Sequence, residues 1–410
     1  MASSSSSSGK VVAVAVKEAQ ELTDVAKMDP ALALKLFHHG AFLIFRDFPV
    51  GSEFGIDYKS WTVGPKFQGL KMIPPGIHFV YYSLRMADGQ NAPRIGFFHH
   101  FQPGEVLLKK WDKKMEDVDD AAASEEEVER LRANLQTLDK HLGPYPYDTY
   151  RSWFSLSNHI SAELATRLSP RLGRISMQCE LVSLETETLG EGAGTVDRST
   201  PTRLRFSDEQ GLPIMRVKPG HEIRFHAIPV DKVPDTASTA ERARYAMDGS
   251  DRLRRFLRDS YEAWSKDAQE METHCLGELQ FAFVCFLQGH VYEAFDQWKR
   301  LVHLLCSCRE AVASRPELYQ RFLMALHFQL KECPRDFFVD IVTRNNFLTV
   351  TLANLFANVE AEDGAPKELK QRAAKFQRYL TKTFQWKFDH DEPAVVVTTT
   401  STQLREEEAP

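Results

Sequence analysis

Cysteine is scarce in this sequence, with 6 residues in 410, and no pair stands at the tight spacing of a disulfide framework behind a secretory leader. That usage is expected of a protein kept in a reducing, intracellular compartment. Long apolar runs are missing as well. The longest, such as Val11–Val16 and Phe281–Leu287, fall far short of the roughly 20 residues that cross a bilayer. There is no excess of positive charge, since 51 Lys and Arg face 57 Asp and Glu for a formal net charge of −6. Gripping phosphate backbones as a main task requires a positive field over a whole face, so this balance leaves room only for a local basic patch.

Catalytic signatures are equally scarce. His221-Glu222 followed by His226 resembles a zinc-protease pair, but the histidines lie five apart in a segment whose alternation predicts a strand. Odd separations there point to opposite faces, so the two rings cannot share a metal. His303, Cys306 and Cys308 lack the further ligand pair a closed site needs. Together with Cys275, Cys285 and Cys333 the two cysteines read as small core hydrophobes. Gly190–Gly194 has glycines at alternate positions without a following helix, and Gly9-Lys10 runs into Val11 rather than Ser or Thr. Neither is a phosphate loop, and no G-x-S-x-G elbow occurs. The expectation is a non-catalytic protein with no cofactor and no metal.

What is present is a change of period. Residues 41–111 are rich in aromatic and β-branched residues broken by Gly and Pro, which predicts strands at Phe42–Phe45, Ile77–Leu84 and Arg94–Phe101. A helix is expected at Asp29–His39, capped by Asp29 and ended by Gly40. Further helices are expected from the Ser124/Glu127 capping box to Gly143 and over Trp153–Leu168, and strands over Ile175–Thr188, Arg203–Phe206 and Glu222–Ile228. Beyond Val230 the period becomes helical, at Asp251–Trp264, Leu276–Leu287, Val291–Cys306, Glu317–Lys331, Phe337–Val342, Phe347–Val359 and Lys367–Phe384. The run around Phe281 is apolar on every side and predicts a central buried helix. The fold class that follows is α+β. A tail over residues 1–27 precedes a β-rich, sandwich-like domain with inserted helices at 28–229. A linker at 230–240, an all-helical domain at 241–390 and a flexible tail at 391–410 complete the chain.

Three segments could bind partners. Residues 112–129 hold nine acids against two lysines, a docking patch or simply a solvated loop. The helix over Lys367–Lys387 sets Lys367, Lys370, Arg372, Lys375, Arg378, Lys382 and Lys387 against Glu368. That is a basic surface for RNA or an acidic protein, or a solvated face. In the last segment Val395, Val396 and Val397 precede Thr398 and Thr399, then Glu406–Glu408, a β-prone stretch suited to adding to another protein's sheet edge, or a frayed end. Phosphate on Thr398–Thr402 would set about −1.5 to −2 charge beside those glutamates and disfavour such docking.

Several longer motifs carry more than their physics: Gly51–Asp57 (GSEFGID), Trp61–Pro65 (WTVGP), Lys71–His78 (KMIPPGIH), Gly143-Pro144-Tyr145, Gly277–Phe283 (GELQFAF) and Asp336–Asp340 (DFFVD). In that order the chain resembles the AAR2 splicing-factor family from about Met28 to Phe388. The resemblance implies a β-rich domain joined to a VHS-like helical domain. It also implies an assembly factor of the U-five small nuclear ribonucleoprotein that shuttles between cytoplasm and nucleus. Such a factor binds the RNase H-like and Jab/MPN-like domains of the Prp-eight scaffold, blocks premature access of the Brr-two helicase and of RNA, and is released under phosphorylation control. It supplies no catalytic residue to carry over. A direct RNA-binding module using Lys367, Lys370, Lys375, Arg378 and Lys382 is the alternative.

Overall fold

The computed structural model describes residues 28–119, 123–178, 181–183, 215–230, 238, 248–333 and 347–388. The chain divides into two compact units, Met1–Val230 with Arg254–Val302 and Met324–Cys333, and Asp231–Leu253 with His303–Leu323 and Pro334–Pro410.

The first unit opens with α1 (Pro30–His39), whose N-terminus is capped by Asp29 Oδ2 accepting from Ala31 N at 3.1 Å and Leu32 N at 3.3 Å. Strands follow as β1 (Ala41–Arg46), β2 (Glu53–Ile56), β3 (Lys59–Thr62), β4 (Gly69–Ile73), β5 (Gly76–Ser83), β6 (Ile95–Phe101), β7 (Val106–Asp112) and β8 (Asp117–Val118). Helices α2 (Glu125–Ala133) and α3 (Leu135–Leu138) lead to β9 (Leu142–Pro144). Next come α4 (Tyr150–Ser157), α5 (Ala162–Leu168), β10 (Ile175–Ser176), β11 (Leu181–Ser183) and β12 (Met215–Val217). One five-stranded sheet has the order β8-β7-β1-β4-β9, mixed in direction; a second, β10-β6-β5-β2-β3, is antiparallel throughout, and β11 pairs with β12 in a two-stranded sheet.

Strand β1 explains the layering. Its run AFLIFR is buried at every position but the last, the mark of a strand covered on both faces. Leu43 and Phe45 join Phe54, Ile56, Val80, Tyr82 and Phe101 of the second sheet in the core between the sheets. Phe42 and Ile44, pointing the other way, pack with Val106, Leu108, Leu131 and Leu142 under α2 and α3. On the far side, Phe98 of β6 stacks on Phe281 of α7 (Ala268–Leu287) at 4.6 Å between centroids. Helix α7 is buried around its whole circumference from Cys275 to Cys285, as its all-round apolar run predicts.

Among the described residues the remaining helices are α6 (Ser250–Tyr261), α8 (Tyr292–Cys306), α9 (Glu310–Ser314), α10 (Pro316–Glu332), α11 (Phe347–Ala361) and α12 (Lys367–Phe384). In the second unit Asp248 caps α9, its carboxylate accepting from Arg309 N at 2.9 Å and Glu310 N at 3.1 Å. An N-terminal region of two sheets and a C-terminal helical region are as the change of period predicts.

Four segments differ from the sequence reading. Ile175–Thr188 is not one strand, because the chain bends at Met177 and Gln178 after β10 and pairs again at β11. Trp153–Leu168 is two helices, α4 and α5, because Ser161 caps a new helix (Leu164 N to Ser161 Oγ, 3.1 Å) and Gln280 of α7 accepts from His159 N at 2.8 Å in the break. The helix from the Ser124 capping box stops at Ala133, with Asn134 between it and α3. Glu127 does not reach back to Ser124; its carboxylate bridges Arg46 at 3.0 Å and Lys110 at 2.7 Å. Glu222–Ile228 is not a strand, because His226 spends its backbone N–H on the Glu278 side chain instead of a ladder partner. Gly190–Gly194, Arg203–Phe206, Phe337–Val342 and, apart from Val230 and Ser238, the linker 230–240 lie outside the described residues.

Cys275, Cys285, Cys306, Cys308 and Cys333 are buried thiols outside any disulfide. Burial pushes the Cys308 and Cys333 thiols up to about 12 and holds Cys285 and Cys306 well above the ordinary range. Iodoacetamide applied to the native protein at pH 8 is therefore expected to leave these five unmodified and to reach them only in denaturant. Peptide mapping showing rapid native-state labelling at any of them would contradict this packing.

Candidate functional site

The buried polar groups do structural work around α7. Glu278, fully buried, accepts from His226 N at 3.0 Å, His226 Nδ1 at 2.6 Å, Tyr261 Oη at 2.7 Å and Gln297 Nε2 at 3.0 Å. Burial first, and the Glu278 carboxylate next, holds the Tyr261 phenol well above its ordinary pKa, so it stays protonated and donates. Two residues on, across the helix, Gln280 donates to Ser155 O at 3.2 Å and Asn158 Oδ1 at 2.8 Å, which satisfies the frayed end of α4. Gly277 makes the approach possible, because a Cβ there would lie 2.4 Å from His159 O. The GELQFAF motif is thus the seam between α7 and the α4–α5 corner.

A second network lies between the sheets. Asp57, in the left-handed region at φ 54°, accepts from His78 Nδ1 at 2.7 Å, Tyr145 Oη at 2.6 Å and Phe79 N at 3.0 Å. His78 Nε2 meets Pro74 O at 2.8 Å, so both ring nitrogens face acceptors. Trp153 lies parallel to the His78 ring within 17° and donates to Ile77 O at 2.8 Å. This one cluster joins residues from GSEFGID, KMIPPGIH and Gly143-Pro144-Tyr145. Sequence reading missed both networks. Their one signal was a polar residue inside an apolar run, Glu278 and Gln280 above all, which reads as a core residue with an unnamed partner.

The predicted basic surface lies in the second unit, on α12. Leu369, Ala373, Phe376 and Leu380 form its buried stripe, and Phe376 meets Phe356 of α11 edge-on at 6.1 Å. On the opposite face Lys367, Lys375, Arg378 and Lys382 are exposed. Their spacing makes one ridge about 22 Å long at 1.5 Å per residue. Lys370 leaves the ridge to donate to Glu360 O at 3.0 Å at the end of α11. After the left-handed turn at Gln385, Trp386 and Phe388 are buried, Phe388 edge-on to Phe356 at 5.1 Å. Trp386 and Phe388 thus anchor the last described residues of this unit. Val395, Val396, Val397, Thr398 and Thr399 lie outside the described residues.

The suggested metal ligands do not converge. His226 is engaged by Glu278, while His303 is exposed and stacks on Phe347 at 6.4 Å. Cys308, buried, donates to Leu304 O at 3.0 Å. Among the described residues no three His, Cys, Asp or Glu side chains are grouped to hold a metal ion, and no helix is long and apolar enough to cross a membrane.

Comparison with known proteins agrees with the motifs that form these seams. The family described as the AAR2 N-terminal domain matches residues 39–170, and the AAR2 C-terminal repeat region matches residues 225–389. The chain is 47% identical over 373 residues to the protein AAR2 homolog of Caenorhabditis elegans, covering 89% of this chain and 99% of that one. To the Mus musculus and Homo sapiens AAR2 homologs it is 43% and 42% identical, covering 88% of this chain and 94% of each. With both domain types matched and nearly the whole length shared, the chain belongs to the AAR2 family.

Proposed function

We propose that this chain is a non-catalytic pre-mRNA splicing factor, an assembly chaperone of the U-five small nuclear ribonucleoprotein. It binds the Prp-eight scaffold at its RNase H-like and Jab/MPN-like domains and holds off the Brr-two helicase and RNA until release, working in both cytoplasm and nucleus. Membership of the AAR2 family across both regions carries this reading. The burial of Trp386 and Phe388 supports it, because a β-prone segment a few residues further along the chain, joined to a folded unit, meets a partner's sheet edge at raised effective concentration. Calorimetry with the two Prp-eight domains tests it. Tight binding is expected, weakened in a chain truncated after His390 and in one carrying Thr399→Glu and Ser401→Glu. Absence of binding by the full chain would overturn the reading; binding indifferent to both changes would move the interface onto the folded units.

The exposed α12 ridge favours one further reading, direct RNA binding through Lys367, Lys375, Arg378 and Lys382. Four or five phosphate contacts give a slope of about −3 in log affinity against log salt, whereas strand addition responds weakly to salt. Titration of single-stranded RNA between low and physiological salt separates the two.

A further inference from the structure

Strand β6 has one edge only partly paired. Its partner β5 sets the register Ile77↔His100, Phe79↔Phe98 and Tyr81↔Gly96. Phe79 spends its backbone N–H and C=O on Asp57, on the side away from β6, and Ile77 O likewise accepts from Trp153. In an antiparallel ladder the residues opposite these, Phe98 and His100, therefore turn their own N–H and C=O outward. On that side β10 covers only Ile95 and Gly96, then Met177 N reaches Arg94 O at 3.0 Å. Toward its N-terminus β10 ends in the turn at Gly173 (φ 70°), leaving Phe98 and His100 without a backbone partner among the described residues.

An open edge is usually sealed by charge, a bulge or a covering helix. Here α5 runs beside it but presents small side chains, Ala162, Ala165, Thr166 and Ser169, and a groove of about 660 Å³ remains between them. Its lining includes Arg171 and Arg224, both exposed, with His99 and His100, and no Asp or Glu. Carboxylates stand just outside it: Glu105 accepts from His99 Nε2 at 2.8 Å. Glu222 is held below the usual carboxylate range by backbone N–H groups first and by Arg171 and Arg224 after them.

We infer that this groove receives an extended acidic segment of a partner protein, which adds to the β6 edge in line with β10 and bonds to the outward groups of Phe98 and His100. The geometry supplies the main-chain ladder, the small side chains of α5 leave the groove beside it, and Arg171 and Arg224, two cations against the one neighbouring carboxylate of Glu222, select carboxylates on the incoming segment. This site accepts a strand within the first unit and does not depend on the function proposed above.

The test is amide hydrogen exchange on the full chain, with a capped peptide of about eight residues alternating glutamate and valine as the probe. Exchange at Phe98 and His100 is expected to slow by at least about tenfold at saturation, while the same peptide with lysine for glutamate leaves it unchanged. Thr166→Trp, at an exposed position of α5, fills the groove and is expected to abolish the protection without shifting the melting temperature. No slowing at Phe98 and His100, equal slowing by the lysine peptide, or slowing that persists in a folded Thr166→Trp protein would each overturn the inference.

Discussion

Replacing Glu278 with alanine is expected to lower the unfolding free energy by about 3–5 kcal/mol, close to the loss on breaking a buried charged pair. Four donors converge on this fully buried carboxylate, from His226, Tyr261 and Gln297. Truncation leaves all four facing a cavity, and each buried donor left unpaired costs about 1–3 kcal/mol, only part of which entering water restores. Urea unfolding followed by tryptophan fluorescence reads the effect directly, since Trp264 lies 5.4 Å from the His226 ring. A loss below about 1 kcal/mol would show that water replaces the carboxylate. A cycle pairing Glu278→Ala with Tyr261→Phe should give a coupling of at least about 1 kcal/mol; strict additivity would mean that the two do not act as one network.

Asp57→Ala is expected to cost about 4 kcal/mol, for two separable reasons. The carboxylate receives His78, Tyr145 and the Phe79 amide in a site with no access to solvent. Burial, with the Asp57 charge next, keeps the Tyr145 phenol far above its ordinary pKa, so it can only donate. Alanine would also have to hold φ 54°, a left-handed conformation that costs a β-carbon roughly 1–2 kcal/mol and that Asp and Asn tolerate better. Asp57→Asn relieves that strain while keeping one acceptor oxygen, so it should unfold at a denaturant concentration between wild type and Asp57→Ala. Equal midpoints for the two variants would remove backbone strain from the account, and a wild-type midpoint in either would remove the network.

Much of the architecture was legible because it is periodic and local. Helix α12 runs over the residues its spacing predicts, Lys367–Phe384, with the basic residues opposite the apolar stripe. Asp29 and Ser124 cap their helices as side chains that can reach the next free N–H groups. What failed were segments whose hydrogen bonds leave the neighbourhood. Trp153–Leu168 has an unbroken helical pattern, yet Gln280, more than a hundred residues away, holds the break open at His159. Glu222–Ile228 alternates like a strand, and Glu278 takes the amide that a neighbouring strand would have bonded.

The family, the change from β-rich to helical text, the buried character of α7 and the amphipathic basic helix are all written in residue order or in spacing along a few turns. Which donors meet Asp57 and Glu278, and the open edge that β6 keeps beside α5, emerge only once the chain is folded. A side chain's partners and a strand's unpaired side depend on which distant segments arrive at the same place, and the spacing along the chain does not encode that.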